Sequence, residues 1–244
     1  MKRKILAVAL VAILAIVAIT GASLAYLTDK DEAVNVMTLG NVNIEQYEKD
    51  VNGAAFVQNQ DLYPMVDLRA AGDPTTVAGA NGETVFNPAM KNVIDKFITV
   101  ENTGDYSAYV RTILAFETDR HYVPGSSTDF TDIHKTYIGV NGTFTYLDKY
   151  IEIGGVEYLL AVCVYADPLA PGATTPASLR QFFMAPTANN EITALFGEDY
   201  TILALSQAVQ SAGFESVGAA VALDTAFGEI SEANAQTWFA SVAP

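Results

Sequence analysis

The sequence predicts a mainly β protein: an antiparallel, jelly-roll-like β-sandwich with short helices, mostly toward the C-terminus. Three observations carry that expectation. Short alternating runs recur along the chain, Gly- and Pro-rich turns separate them, and an alanine-rich helical period sets in only past residue 215. Strands at such short spacing fit a sandwich better than a parallel α/β fold.

Lys2, Arg3 and Lys4 form a charged start, residues 5–19 are an unbroken apolar run, and Ser23-Leu24-Ala25 places small residues where a signal peptidase reads. This predicts a signal peptide over residues 1–25, cleaved between Ala25 and Tyr26, and a secreted product. An uncleaved anchor is the alternative, because no charge follows until Asp29 and about 20 apolar residues suffice to span a bilayer. The rest divides into a mature N-terminal segment, residues 26–37, and a single β-sandwich domain with C-terminal helices, residues 38–244. No long linker, low-complexity block or clear repeat interrupts it.

Residues 36–47 show Val42 and Ile44 alternating with Asn41, Asn43 and Glu45, the period of a half-buried strand. Residues 67–86 read as a polar, Gly-rich loop. Residues 94–101 and 108–117 are two strands joined by Asn102-Thr103-Gly104-Asp105, a turn signal that predicts a hairpin. In the second strand Ala108, Val110, Thr112, Leu114 and Phe116 share the face expected in the core, with Tyr109, Arg111 and Glu117 on the other. Residues 143–153 and 156–166 flank Gly154-Gly155, a link suited to a tight hairpin through positive φ. The second of these is apolar on both faces and is expected inside a sheet. Three prolines break the pattern over residues 168–176, and residues 200–209 resume as a strand with no partner that can be named. Over residues 215–227 Val217, Ala220, Leu223 and Phe227 share a helical arc, and residues 231–239 predict a second helix with Ser231 as N-cap.

The formal net charge of −15 argues against nucleic acid and anionic membrane as partners. Cys163 is the only cysteine, so no intrachain disulfide forms and the core must supply the stability. Set in an apolar run, its thiol is expected to be a small core group.

Catalytic motifs are missing. There is no His-Glu-x-x-His, no Gly-x-Ser-x-Gly elbow, no phosphate-binding Gly loop and no dinucleotide fingerprint, so no catalytic residue and no cofactor are expected. The two histidines, His121 near Asp119 and Glu117, and His134 near Asp132, are weak metal candidates that lack ligand spacing. Asp50-Val51-Asn52-Gly53 lacks the rest of a calcium loop and reads as a turn. Asn141-Gly142-Thr143 is a formal glycosylation sequon but reads more simply as a hairpin turn. Tyr106, Tyr109, Tyr137, Tyr146, Tyr150 and Tyr158 offer either a sugar-binding face or, more simply, ordinary strand and core residues.

Ala25-Tyr26-Leu27-Thr28-Asp29, followed by Asn35, Thr38, Gly40-Asn41-Val42 and Ile44, resembles the opening of TasA/camelysin-type exported proteins with a SipW-dependent signal peptide. Residues 99–105 with Ala108-Tyr109-Val110-Arg111, and residues 207–214 with Ala226-Phe227-Gly228, resemble later parts of the same group. The resemblance implies a jelly-roll protein of Gram-positive bacteria or related archaea that polymerises head to tail into cell-surface or biofilm-matrix filaments. Its partners would be further copies of itself, a minor filament co-subunit and a dedicated signal peptidase. It further implies a donor strand, here Tyr26, Leu27, Thr28, Asp29, Ala33, Val34 and Asn35, inserted into the next subunit. Asp29, Lys30, Asp31 and Glu32 make that segment unusually charged for a buried strand. Two alternatives stand beside it: a camelysin-like metallopeptidase, and a monomeric cell-wall glycan-binding module.

Overall fold

The computed structural model describes residues 35–39, 42–58, 60–80, 82–123, 131–196 and 200–240. In chain order the strands are β1 (Asn35–Leu39), β2 (Ile44–Lys49), β3 (Val66–Asp67), β4 (Thr76–Ala78), β5 (Thr84–Phe86), β6 (Met90–Lys91), β7 (Ile94–Asp95), β8 (Phe97–Asn102), β9 (Ala108–Glu117), β10 (Ile138–Gly142), β11 (Thr145–Ile153), β12 (Val156–Val164), β13 (Leu179–Met184) and β14 (Ile202–Gln210). The helices are α1 (Ile133–Tyr137), α2 (Asn190–Leu195), α3 (Gly218–Phe227) and α4 (Glu232–Ala240). The protein is mainly β, with short helices mostly toward the C-terminus, as expected.

One layer is a five-stranded sheet in the order β1-β14-β9-β12-β11, antiparallel except for the parallel β1–β14 pair. Facing it are the β2–β8 pair and the β10-β13-β7 sheet, knit together by backbone bonds from Lys96 N to Arg180 O (2.8 Å) and from Ser178 N to Ile98 O (2.9 Å). Ile98, Leu114, Phe116, Ala161, Leu179 and Ala204 fill the space between the layers, and Val42, Ile44, Val100, Val110 and Ala208 continue that core.

Every residue of β9 is buried, because each face has a cover. The face of Val110, Leu114 and Phe116 enters the sandwich core, as the alternation predicts. On the other face Tyr109 packs with Ala219, Ala222 and Leu223 of α3, while Ile113 and Ala115 pack with Trp238 and Phe239 of α4. A half-buried strand would alternate polar with apolar, whereas this one is covered twice and carries apolar residues on both sides.

The Gly154-Gly155 link closes the β11–β12 hairpin with φ of 60° and 85°, the left-handed pair that a two-residue turn needs. Ser231 caps α4, its Oγ accepting from Asn234 N at 3.1 Å. Residues 50–53 form a turn, with Asp50 Oδ1 accepting from Asn52 N and Ala54 N. The strand at 202–210 finds its partners in β9 and β1.

Other expectations need correction. The predicted hairpin across 94–117 does not form: β8 pairs with β2, while β9 is held between β12 and β14. Asn102-Thr103-Gly104-Asp105 instead carries the chain from one layer to the other. Asn102 Nδ2 donates to Tyr106 O and Leu169 O, both at 2.8 Å, and the Thr103 and Gly104 amides donate to Asn43 O. Residues 36–47 are likewise two elements in opposite layers, β1 and β2. Residues 141–143 link β10 to β11 across layers rather than closing a hairpin, and Asn141 Nδ2 is held by Thr84 O. The loop at 67–86 contains the small β4–β5 hairpin. In α3 the inward face is Ala219, Ala222 and Leu223, while Val217 precedes the helix and is exposed. Small alanines let α3 lie close on Tyr109 and Val209.

Arg111 projects from β9 into the helix side and is 2 % exposed. Its Nε donates to Gln207 Oε1 (2.7 Å), Nη1 to Asp224 Oδ1 (2.6 Å) and Nη2 to Gly228 O (3.0 Å), and the guanidinium lies 5.5 Å from the Trp238 ring centroid. Burial pulls its pKa below the ordinary value, and Asp224 opposes that shift. Asp224→Ala leaves this buried cation without its counter-charge; because Asp224 is itself 40 % exposed, water partly replaces it, and unfolding free energy is expected to fall by about 1–2 kcal/mol in urea titration. A loss within error of zero would show that Asp224 is dispensable to the joint.

Candidate functional site

Two regions concentrate the features that the sequence singled out: the aromatic surroundings of His134 and the N-terminal edge of the large sheet.

α1 delivers His134 inward. Asp132 caps it, Oδ1 accepting from His134 N at 3.0 Å and Lys135 N at 3.4 Å, and Thr118 Oγ1 donates to the same carboxylate. The imidazole is fully buried, stacked on Phe116 at 4.5 Å between centroids. Its Nδ1 is 2.5 Å from Tyr200 Oη and its Nε2 is 2.9 Å from Tyr146 Oη. A neutral ring serves as donor at one nitrogen and acceptor at the other, so both hydroxyls are matched without charge. Burial, with a lesser contribution from Lys135, pulls the His134 pKa down to about 3. Burial also raises the Tyr146 and Tyr200 hydroxyls above their ordinary range.

The two histidines lie in different settings. Both nitrogens of His134 are committed to tyrosines, and exposed His121 lies at a bridge with Thr131, its amide donating to Asp119 Oδ1. Among the described residues no group of three or more His, Cys, Asp or Glu side chains is placed to hold a metal ion. Cys163 is buried opposite Thr112 in the β12–β9 register, where burial raises its thiol pKa. The tyrosines do not share a face: Tyr109, Tyr137 and Tyr158 are buried in different clusters, and Tyr106 is exposed.

Beyond Tyr200 a cavity of about 490 Å³ is lined by Phe56, Ile94, Lys96, Phe182, Phe196 and Tyr200, among others. Lys96 is buried there, paired with Glu48 and 4.1 Å from the Phe56 ring centroid. Nothing local in the chain announces this cluster, because its members come from elements far apart in sequence.

Of the sequence-predicted N-terminal site, Ala25, Tyr26, Leu27, Thr28, Asp29, Ala33 and Val34 lie outside the described residues; Asn35 opens β1. There Asn35 stands opposite Leu205 and Leu39 opposite Val209, in parallel with β14. The edge of the five-stranded sheet is thus filled by the first described residues of the chain. No helix among the described residues is long and apolar enough to cross a membrane.

Comparison with protein-family models, with curated proteins and with solved structures finds no match to this chain.

The His134 setting has a pH signature. With its folded pKa near 3 and its ordinary value 6.5, the unfolded chain takes up the proton first as pH falls. The stability it contributes is whole above about pH 6.5 and drains away toward about pH 3, by up to about 5 kcal/mol. His134→Gln keeps one donor and one acceptor without titrating. The difference between wild-type and variant unfolding free energies should therefore narrow on going from about pH 7 to about pH 4. A pH-independent difference would refute this assignment.

Proposed function

We propose that the chain is an exported structural protein that polymerises head to tail into cell-surface or biofilm-matrix filaments, its N-terminal segment serving as a strand for the next copy. The observation that carries this reading is the position of Asn35–Leu39, an edge strand that adds to β14 in parallel and continues directly from residues 26–34.

The physics of such an element favours exchange. A parallel pair is slightly less stable per residue than an antiparallel one, and β1 is held through five register positions along one neighbour. Donation of the same strand to another copy exchanges main-chain bonds for equivalent ones and adds whatever residues 26–34 bury. Contacts of this head-to-tail kind need not close on themselves, and where they stay open they extend into filaments. The acidic surface and the two-layer sandwich suit a rigid extracellular subunit, and the export signal read at residues 1–25 supplies the route.

The metallopeptidase reading has less to draw on, since His134 is enclosed by tyrosines and His121 sits elsewhere at the surface. A glycan-binding face has little support from tyrosines that point into separate clusters.

Electron microscopy of the protein beginning at Tyr26 should show filaments, and deletion of residues 26–35 should abolish them. Filaments that persist unchanged after the deletion would overturn strand donation.

A further inference from the structure

The far edge of the large sheet is finished differently. β11 is its last strand, and in an antiparallel edge strand alternate residues turn both N–H and C=O outward, where a strand from another molecule can pair. The first half of β11 is irregular: its register with β12 shifts between Tyr146 and Tyr150, and Asp148 has φ of 47°. Such bulges spoil an edge as a template. The second half, residues 150–153, is regular and has no such protection of its own.

α4 lies against that stretch. Glu232 Oε1 accepts from Tyr150 N at 2.9 Å, Gln236 Oε1 accepts from Glu152 N at 2.9 Å, and Gln236 Nε2 donates to Glu152 O at 2.5 Å. Glu232 and Gln236 are four residues apart on one helix face, about 6 Å along the axis. Alternate residues of a strand are roughly 6.8 Å apart, so the two side chains reach successive outward positions. Ala235, Trp238 and Phe239 anchor the helix in the core beneath, and Lys149 Nζ holds Ile230 O at 2.5 Å just before it.

We propose that Glu232 and Gln236 form an edge guard, a side-chain stand-in for a sixth strand that keeps residues 150–153 from pairing with β11 of a second copy. The guard is distinct from the N-terminal strand and acts on the opposite edge of the sheet.

The test is the double variant Glu232→Ala/Gln236→Ala beside wild type. Both side chains lie outside the packed face of α4, and Trp238, the only tryptophan, reports by its emission whether the helix stays docked. Hydrogen exchange at the Tyr150 and Glu152 amides should accelerate roughly fivefold, as loss of a hydrogen bond worth about 1 kcal/mol requires. Light scattering should show concentration-dependent association beyond wild type. Adding Glu152→Pro, which removes the outward N–H of an edge strand, should return the oligomeric state to that of wild type. The single variant Gln236→Ala should accelerate exchange at Glu152 alone and serves where the double variant loses its Trp238 signature. Unchanged exchange, faster exchange with no association, or association that survives Glu152→Pro would each overturn the proposal.

Discussion

The helix side of the molecule depends on one buried cation. A guanidinium removed from water costs several kcal/mol unless it is paired and hydrogen-bonded, and Arg111 meets that demand with groups from four separate places: Gln207 on β14, Asp224 on α3, the Gly228 carbonyl after α3, and the Trp238 face on α4. None of these can move without leaving charge unpaired inside. Gly228 is fixed by the same demand. Its φ of 89° and ψ of 162° lie in a region essentially reserved for glycine, and a Cβ there would stand 2.9 Å from Asn234 Nδ2. The short connection between α3 and α4 is therefore set by a side chain of the central strand.

The opposite face of β9 has a quieter counterpart. Thr112 Oγ1 is 3.0 Å from Ser206 Oγ, and Ser206 Oγ donates to Gln46 Oε1 at 2.6 Å. This places a polar joint between β9, β14 and β2 in the middle of an apolar core. A slip of β2 by one residue would turn Gln46 outward and bring Glu45 or Tyr47 into the core. Register between the layers is thus specified by hydroxyls and an amide, while the burial energy comes from the surrounding aliphatic residues.

These joints also mark what could be read in the sequence. Local chemistry was legible: Gly154-Gly155 as a positive-φ turn, Ser231 as a cap, Asp50 as a turn former, and the alternation through 108–116. Each depends on residues within a few positions of one another. The failures concern partners. Asn102-Thr103-Gly104-Asp105 announces a change of direction, yet a turn signal does not say whether the following strand pairs back or crosses to another layer. Here both edges of β9 are taken by β12 and β14, longer than β8 and apolar on both faces. The same limit hid the His134 setting, since nothing near residue 134 announces Tyr146 or Tyr200, and α4 was legible as a helix but not as a neighbour of β11.

The two ends of the five-stranded sheet are unlike in kind. At one end β1 meets β14 through a parallel ladder, with Val36 packed into the cluster that holds Ala208, and a strand of suitable register can replace the ladder in kind. At the other end the main chain meets carboxylate and amide groups on a helix whose apolar side is set in the core. Replacing those groups with a strand requires turning both side chains off the edge, and they stand on the helix that carries Trp238, one of the partners of Arg111. Opening the β11 edge therefore breaks side-chain bonds held by a docked helix, whereas exchanging β1 leaves every partner of Arg111 in place. This difference in cost is what the proposed one-directional growth requires: an edge at β14 whose strand can be exchanged, and an edge at β11 already occupied by side chains of α4.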